Sequence, residues 1–313
     1  MSRLIINADD SRLTSLVNRT IAELHQAHAH TSTTLMATGP AFEDAVAIAR
    51  ANPALGVGCH IVLTDGVPVS PPEAIATLLG SDRKTFRPSL GDFVQALLRN
   101  RIRREEIERE ALAQIAKLQR AGIRITHLDT HKHTHLFPAV ASPLLRVAER
   151  TGIHAIRNPF EQPWSLALGH GNRLRHIQVK LLSNLHRKFE NQPQIRSSSI
   201  LTTDGTIGIS ATGDLDARTL REILQALPAD SAATFELCCH PGYNDSSLDK
   251  ITTRLRTHRD IERNALLKEI PALLLNPNAP QLIHYGDLGK TASPSERIAG
   301  DAIDDEQTKL GAL

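Results

Sequence analysis

Aromatic side chains are scarce in this chain of 313 residues, where Phe, Trp and Tyr together make up only 3%. Proteins that bind single-stranded nucleic acid usually stack bases on aromatic rings, so the scarcity disfavours that class of function. The formal net charge is +2 at pH 7. A charge this close to neutral gives no reason to expect nucleic acid or an anionic membrane as a partner.

Cysteines and long apolar runs are also few. The three cysteines, Cys59, Cys238 and Cys239, cannot form a disulfide framework, which favours a reducing compartment. The sequence contains no run of about 18 apolar residues, so we expect no integral membrane segment. The first residues, "MSRLIINADD", lack the basic region and apolar stretch of a signal peptide. We therefore expect a cytoplasmic protein.

Short apolar runs alternate with amphipathic segments along most of the chain. "RLIINAD" (3–9) is typical of a buried strand, and "SLVNRTIAELHQAHA" (15–29) follows with helical spacing. The same reasoning predicts further strands, among them 55–63, 153–159 and 281–288, and further helices over 40–52, 103–122, 138–152, 172–190, 214–227 and 248–270. Repetition of this pattern predicts an α/β protein with a parallel sheet, and the chain length favours a single-domain, distorted (β/α) TIM-like barrel with seven or eight strands. We expect this domain to span 1–288 and to be followed by a polar, flexible tail over 289–313.

Polar and ionisable side chains directly follow several of the predicted strands. They are Asn7, Asp9 and Asp10; His60; Asp129 and His131; Arg157 and Asn158; His240; and His284, Tyr285 and Asp287. Because active sites of (β/α) barrels lie at the carboxyl ends of the strands, we expect these side chains to meet there. Histidines in the helical segments are instead interpreted as solvated faces or helix ends, namely His25, His28, His30, His176 and His186.

The stretch "ITHLDTHKHTHLF" (125–137) carries an ionisable side chain at every second position from His127 to His135. A spacing of two is the strand period, so these side chains are predicted to share one face of a strand. One carboxylate and two imidazoles from different strands would suit a catalytic divalent ion. A surface strand rich in histidine is the alternative interpretation.

Four motifs, taken in order, resemble the YdjC-like carbohydrate deacetylases. They are "LIINADD", "GVGCHIVLTDGVPV", "THLDTHKHTHLFP" and "CCHPGYND", and the resemblance runs from residue 4 to about residue 288. The family includes chitooligosaccharide deacetylases and deacetylases associated with hopanoid biosynthesis. The resemblance implies a distorted (β/α) barrel that removes an N-acetyl group from an amino sugar with the help of a metal. The family usually continues "NADD" with Phe-Gly, whereas this chain has Ser11 and Arg12. The resemblance therefore does not predict how the loop after the first predicted strand contacts the substrate.

The resemblance also implies roles for individual residues. Asp10, His60 and His131 match the metal ligands, Asp9 matches the general base, and His240 matches the catalytic acid. Other positions are predicted to bind substrate or to support the site, and they are Asp129, His133, His135, Arg157, Arg259 and Glu262. Arg259 and Glu262 match an R-x-x-E pattern whose role the sequence does not reveal.

The leading hypothesis is a metal-dependent hydrolase in which a metal-bound water attacks the acetamide of an N-acetylated sugar. The alternatives are a metal-dependent lyase or phosphoesterase, and a non-enzymatic metal carrier. We expect one divalent ion, magnesium or zinc, with its ligand atoms within about 4.5 Å of each other. His133 and His135 are not expected to be ligands, because successive residues on one strand face stand roughly 6.6 to 6.8 Å apart. The sugar, any lipid linked to it and a homo-oligomeric state are left open.

Overall fold

Seven parallel strands form the centre of the fold in the computed structural model, which describes residues 1–11, 13–168, 183–229, 232–251 and 253–290. The strands are β1 (Arg3–Ser11), β2 (Ser32–Met36), β3 (Gly56–Ile61), β4 (Ile125–Thr130), β5 (Gly205–Ile207), β6 (Thr234–Cys239) and β7 (Gln281–Leu282). Six of them follow the order β4-β3-β2-β1-β6-β5, and β7 pairs with the start of β1. Most strand residues are buried, as expected for a parallel sheet covered by helices.

The predicted closed barrel of seven or eight strands is not confirmed. The sheet curls through six strands into a half-barrel, and the gap between β4 and β5 is crossed by segment 154–162. This segment, expected to contain a strand over 153–159, makes only isolated bridges, such as Leu128 with Ile156 and Ala155 with Leu201. Pro159 lacks the N–H that a regular ladder would need there.

Ten α-helices pack around the sheet in the described part of the chain. They are α1 (Ser15–Gln26), α2 (Phe42–Ala51), α3 (Leu90–Leu98), α4 (Arg104–Arg120), α5 (Pro138–Thr151), α6 (Pro163–Leu168), α7 (His186–Glu190), α8 (Pro193–Arg196), α9 (Ala217–Gln225) and α10 (Thr257–Leu274). Side-chain caps fix some of the helix starts: Thr14 accepts from the amide of Val17, and Asp216 accepts from that of Thr219. None of the described helices is both long and apolar enough to cross a bilayer.

Several predicted element boundaries differ from the structure. The helix expected over 248–270 begins only at Thr257, and the strand expected over 281–288 stops at Leu282. The basic helix expected over 172–190 lies mostly outside the described residues, as do His176, Arg12 and nearly all of the predicted tail over 289–313.

The histidines around the end of α1 do not all face solvent. His30 is only 1% exposed, which corrects its interpretation as part of a solvated helix end. Burial, together with the neighbouring His25, lowers the pKa of His30 from 6.5 to about 3. The folded protein therefore holds this imidazole in its neutral form at neutral pH.

We predict that this neutral histidine makes folding weaken in mild acid. The pKa of His30 is lower in the folded state than in the unfolded state, so its contribution to stability is complete above pH 6.5 and is lost as the pH falls from 6.5 towards 3. Between pH 7 and pH 5, in EDTA, the free energy of unfolding should fall by about 2 kcal/mol more for the native chain than for His30→Leu. Urea titrations at both pH values measure this difference, and equal losses in the two proteins would contradict it.

Candidate metal centre

A bulge at the end of β1 directs two adjacent carboxylates, those of Asp9 and Asp10, into the same site. The register with β2 shifts between Ala8 and Ser11, and Asp10 adopts a left-handed backbone with φ 62°. An irregularity of this kind changes the direction of a side chain at a strand end. Asp9 and Asp10 would point to opposite faces of a regular strand, but here both contact residues of the site.

Arg157 is the centre of the buried polar network beneath the site. Its guanidinium donates to both oxygens of Asp9 at 2.6 and 2.8 Å, and to Glu236 Oε1 at 2.6 and 2.8 Å. The Nη1 atom also lies 2.6 Å from Asp129 Oδ2. Arg157 and all three carboxylates are almost fully buried. One cation thus holds the carboxylates of β1, β4 and β6 in fixed positions.

The same network sets the protonation of its acids. Burial raises the pKa of Asp9, but the charge and hydrogen bonds of Arg157 outweigh it and hold that pKa far below its usual range. The pKa of Glu236 is raised, mainly by burial. Tyr285 donates its hydroxyl to Glu236, and its ring stacks on His127 with centroids 3.8 Å apart. Tyr285 therefore supports the network. Its position at a predicted strand end did not reveal this role.

His60, near the end of β3, is oriented by Asp129. Nδ1 of His60 lies 2.8 Å from Asp129 Oδ1, which leaves Nε2 free to face Asp10 Oδ1 at 3.7 Å. Burial lowers the pKa of His60, but the charge of Asp129 and its hydrogen bond raise it to about 9. A carboxylate behind a histidine in this way fixes the tautomer and raises the basicity of the free nitrogen, as behind many metal-binding histidines.

Asp10, His60 and His131 meet at one point. Besides the contact with His60, Asp10 Oδ1 lies 3.5 Å from His131 Nδ1, and the three ligand atoms all lie within 4.8 Å of one another. The structure thus brings together the carboxylate and the two imidazoles that the sequence singled out. His131 has a side chain 20% exposed, so one side of this group is open.

The histidine cluster does not continue along one strand face, which corrects the sequence-based prediction. Strand β4 ends at Thr130, and His131–Leu136 forms a 3₁₀ segment in which Lys132 and His133 have φ of 56° and 50°. The positions of His133 and His135 are therefore set by this local backbone geometry and not by the alternation of a strand. His135 receives support from Thr130, whose hydroxyl lies 2.6 Å from His135 Nδ1.

His133 and His135 nevertheless present free polar atoms to the interior. Nδ1 of His133 and Nε2 of His135 are buried and have no hydrogen-bond partner among the described residues. Burial, followed by the charge of Arg157, lowers the pKa of His135 to about 3. Its imidazole is thus neutral, and its free nitrogen can exchange hydrogen bonds with a bound molecule.

His240, directly after β6, lies on the other side of Asp9. Its Nε2 is 3.9 Å from Asp9 Oδ2, and its backbone N–H donates to Glu262 at 2.5 Å. Arg259 donates to Asp10 Oδ2 at 2.8 Å and to the carbonyl of His240 at 3.4 Å. The R-x-x-E pair of α10, whose role could not be predicted from the sequence, therefore holds both Asp10 and His240.

The predicted residues after β7 do not join this group. Strand β7 pairs with Arg3 and Leu4, at the start of β1, so it ends far below the carboxyl ends of the other strands. His284 and Asp287 consequently line a cavity elsewhere, and only the Tyr285 side chain reaches the network.

The balance of buried charge tests whether a cation fits. Five carboxylates of the site are at least nine-tenths buried, and they are Asp9, Asp10, Asp129, Glu236 and Glu262. Among the described residues, two buried guanidiniums face them, those of Arg157 and Arg259. Buried ionic charge needs compensation, and without an ion the raised pKa of His60 lets a proton supply part of it. A metal ligated by Nε2 would take the place of that proton. A divalent cation suits both this negative excess and the mixed oxygen and nitrogen donors.

Two further groups of potential ligands share Asp9 and are less suitable. Asp9, Cys238 and His240 form one group, and Asp9, His60 and Asp129 form the other. Both oxygens of Asp9 are bound to the Arg157 guanidinium, and those of Asp129 are bound to Arg157 and His60, whereas Asp10 gives only Oδ2 to a guanidinium and keeps Oδ1 free. Burial also raises the pKa of the Cys238 thiol well above its ordinary value, whereas a metal needs the thiolate.

Comparison with known proteins identifies the family. The family model for YdjC-like protein matches residues 3–275. The chain belongs to the YdjC-like family. A carbohydrate deacetylase of Brevibacillus brevis is 31% identical over 92% of this chain and all of its own length. A chitooligosaccharide deacetylase of Enterobacter sp. is 28% identical over 79% of this chain and 84% of its own.

The fold of this YdjC-like chain also has a solved counterpart. A crystal structure of a protein from Enterococcus faecalis V583 superposes with a TM-score of 0.71, covering 92% of this chain and 98% of that chain. At 24% identity the likeness shows a shared fold and no more.

We predict that replacing the central arginine of this YdjC-like site strongly destabilises the fold. Arg157→Met leaves three buried carboxylates without their cation, and losing one partner of a buried ionic network costs about 3–5 kcal/mol. The matched control is Arg146→Met, which removes the half-exposed pair with Glu108 and should cost about 1 kcal/mol or less. Urea unfolding measures both, and similar small losses would refute the central place of Arg157.

Proposed function

We propose that this chain is a metal-dependent carbohydrate N-deacetylase that acts on an N-acetylated sugar, oligosaccharide or glycoside. The observation that carries the proposal is the convergence of Asp10, His60 and His131 beside a group of buried carboxylates that outnumber the buried guanidiniums around them. The names of the YdjC-like relatives, carbohydrate deacetylase and chitooligosaccharide deacetylase, support the substrate class.

Asp10, His60 and His131 would hold one divalent ion. Asp10 offers Oδ1 because Arg259 binds Oδ2, and His60 offers Nε2 because Asp129 binds Nδ1. Bound there, the ion would supply Lewis acidity, which lowers the pKa of a coordinated water towards roughly 7 and polarises the amide carbonyl. Two imidazoles favour zinc or cobalt, while a site that keeps several waters also suits magnesium, so the metal itself is left to experiment.

Asp9 and His240 would move the proton. Asp9 is fully ionised and lies beside the ligand group, so its Oδ2 can accept a proton from the attacking water. Because Arg157 keeps Asp9 a weak base, the proton would not stay there. His240 Nε2, 3.9 Å from that oxygen, would take it up and donate it to the departing amine.

His133 and His135 would contact the substrate. Their buried, unpartnered nitrogens lie beside the candidate metal centre and can bind the hydroxyl or amide groups of a sugar. Arg259 and Glu262 would act as positioning residues. Their polar atoms are used to hold Asp10 and the backbone of His240 and would not contact the substrate.

Acetate release tests the proposal directly. Metal-stripped protein should release no acetate from N-acetylglucosamine oligomers, and addition of zinc, cobalt or magnesium should restore release. Binding of one ion at Asp10, His60 and His131 without any turnover of N-acetylated sugars would instead favour a metal carrier. Turnover of a phosphoester or a lyase substrate alone would favour the other enzyme classes.

Replacing Asp9 separates its role from that of Asp10. Asp9→Asn keeps the size of the side chain but cannot accept the proton of the attacking water, so turnover should fall by about 10² to 10⁴. Metal content, measured by mass spectrometry on the same preparation, should not change, because Asp10 holds the ion. A fully active Asp9→Asn enzyme with unchanged metal content would remove Asp9 from the mechanism, and one that has lost one equivalent of metal would exchange its role with that of Asp10.

His135→Ala tests whether the later histidines are ligands. The variant should keep nearly all of its metal, because His135 lies outside the group formed by Asp10, His60 and His131. Its KM for the sugar should rise if the free imidazole nitrogen binds substrate. A stoichiometric loss of metal from this variant would show that the ligand assignment is wrong.

A further inference from the structure

A cavity lined by histidines lies at the opposite end of the sheet from the candidate metal centre. It has a volume of about 250 Å³, and its walls include His25, His28, His30, Ala54, His284 and Asp287. His30 and Ala54 precede β2 and β3, so the cavity opens at the amino ends of these strands. The proposed deacetylation uses none of these side chains.

His30 is the buried wall of this cavity. Neither of its ring nitrogens has a hydrogen bond of normal geometry to any described residue, although the side chain is only 1% exposed. The polar groups that act on its pKa are the neighbouring His25 and the backbone of Leu24. Buried polar groups are normally paired, so an imidazole left this way calls for a ligand in the cavity.

His25 stands beside His30 with a free nitrogen of its own. Its Nδ1 lies 3.5 Å from the carbonyl oxygen of His30, which favours the tautomer with a lone pair on Nε2. The two rings have centroids 5.8 Å apart and are nearly perpendicular, at 87°. The pair His60 and His131 has almost the same relation, with 5.6 Å and 73°.

A third imidazole is within the same short segment. His28 follows the end of α1 in a left-handed conformation, with φ 52°, and its side chain is exposed on the rim of the cavity. No three ligand atoms of this cavity lie within 4.8 Å of one another in the described chain, so His28 would have to rotate inwards. His284 is less available, because its Nδ1 accepts from the amide of Gly286 and its Nε2 lies 3.4 Å from Asp287.

We propose that His25, His28 and His30 form a second site, which binds a divalent transition-metal ion such as Zn²⁺. Imidazole donors select zinc, nickel or copper over magnesium and calcium, which prefer oxygen ligands. Asp287, on the facing wall, adds negative charge to the cavity without having to serve as a ligand. The site is independent of the proposed deacetylase chemistry.

Zinc stoichiometry tests the second site. The untagged full chain is stripped of metal, incubated with a small excess of ZnCl₂, passed through a desalting column and measured by mass spectrometry. The native chain should retain two equivalents, and His25→Ala/His28→Ala should retain one. These two side chains are not buried, so the variant should fold. The matched control is His154→Ala/His186→Ala, which removes two histidines that belong to neither site and should retain two equivalents.

Removal of the other site keeps the two proposals distinguishable. His60→Gln/His131→Ala should retain one equivalent, and the combination of both double variants should retain none. A folded His25→Ala/His28→Ala protein that still binds two equivalents would overturn the second site. So would a native chain that binds a single equivalent lost in His60→Gln/His131→Ala. A single equivalent lost only in His25→Ala/His28→Ala would support the second site and refute the proposed metal centre.

Discussion

The ionic contact of Arg157 with Asp9, Asp129 and Glu236 is the constraint on which the site depends. It joins a segment with no regular strand pairing to the carboxyl halves of β1 and β4 and to the middle of β6. The guanidinium uses its fork geometry to hold several carboxylates at once, which a lysine could not do. Because Asp9 and Asp129 are bound in this way, Asp10 is the carboxylate of the group with an oxygen facing both His60 and His131.

Two backbone irregularities then complete the geometry. The bulge at Asp10 brings adjacent carboxylates into one pocket, and the left-handed residues Lys132 and His133 curl the chain after β4 around it. Non-glycine residues with positive φ are uncommon and are often found at functional sites. The curl brings His131, His133 and His135 towards the site without a long strand, so the geometry of the site depends on departures from regular structure.

The sequence predicted the composition of the site better than its geometry. Alternating apolar and amphipathic segments located β1, β3 and most helices, and the residues at the strand ends included Asp10, His60 and His131. The spacing of two in the histidine cluster was misleading, because periodicity does not reveal a conformation in which non-glycine residues adopt positive φ. The contacts of Arg157 were also out of reach, since Asp9 lies 148 residues away and long-range pairing leaves no local pattern. Whether the sheet closes into a barrel also depends on long-range pairing, so it could not be predicted from local pattern either.

Anomalous diffraction at the zinc edge, from crystals of the zinc-loaded protein, tests the central claim most directly. The account predicts an anomalous peak bonded to Asp10, His60 and His131, with zinc–nitrogen distances of about 2.0–2.1 Å. Asp9 should remain on Arg157 in the same map. A peak bonded to Asp9, or no peak between the two imidazoles, would contradict the claim that Arg157 reserves Asp9 for proton transfer and leaves Asp10 for the metal.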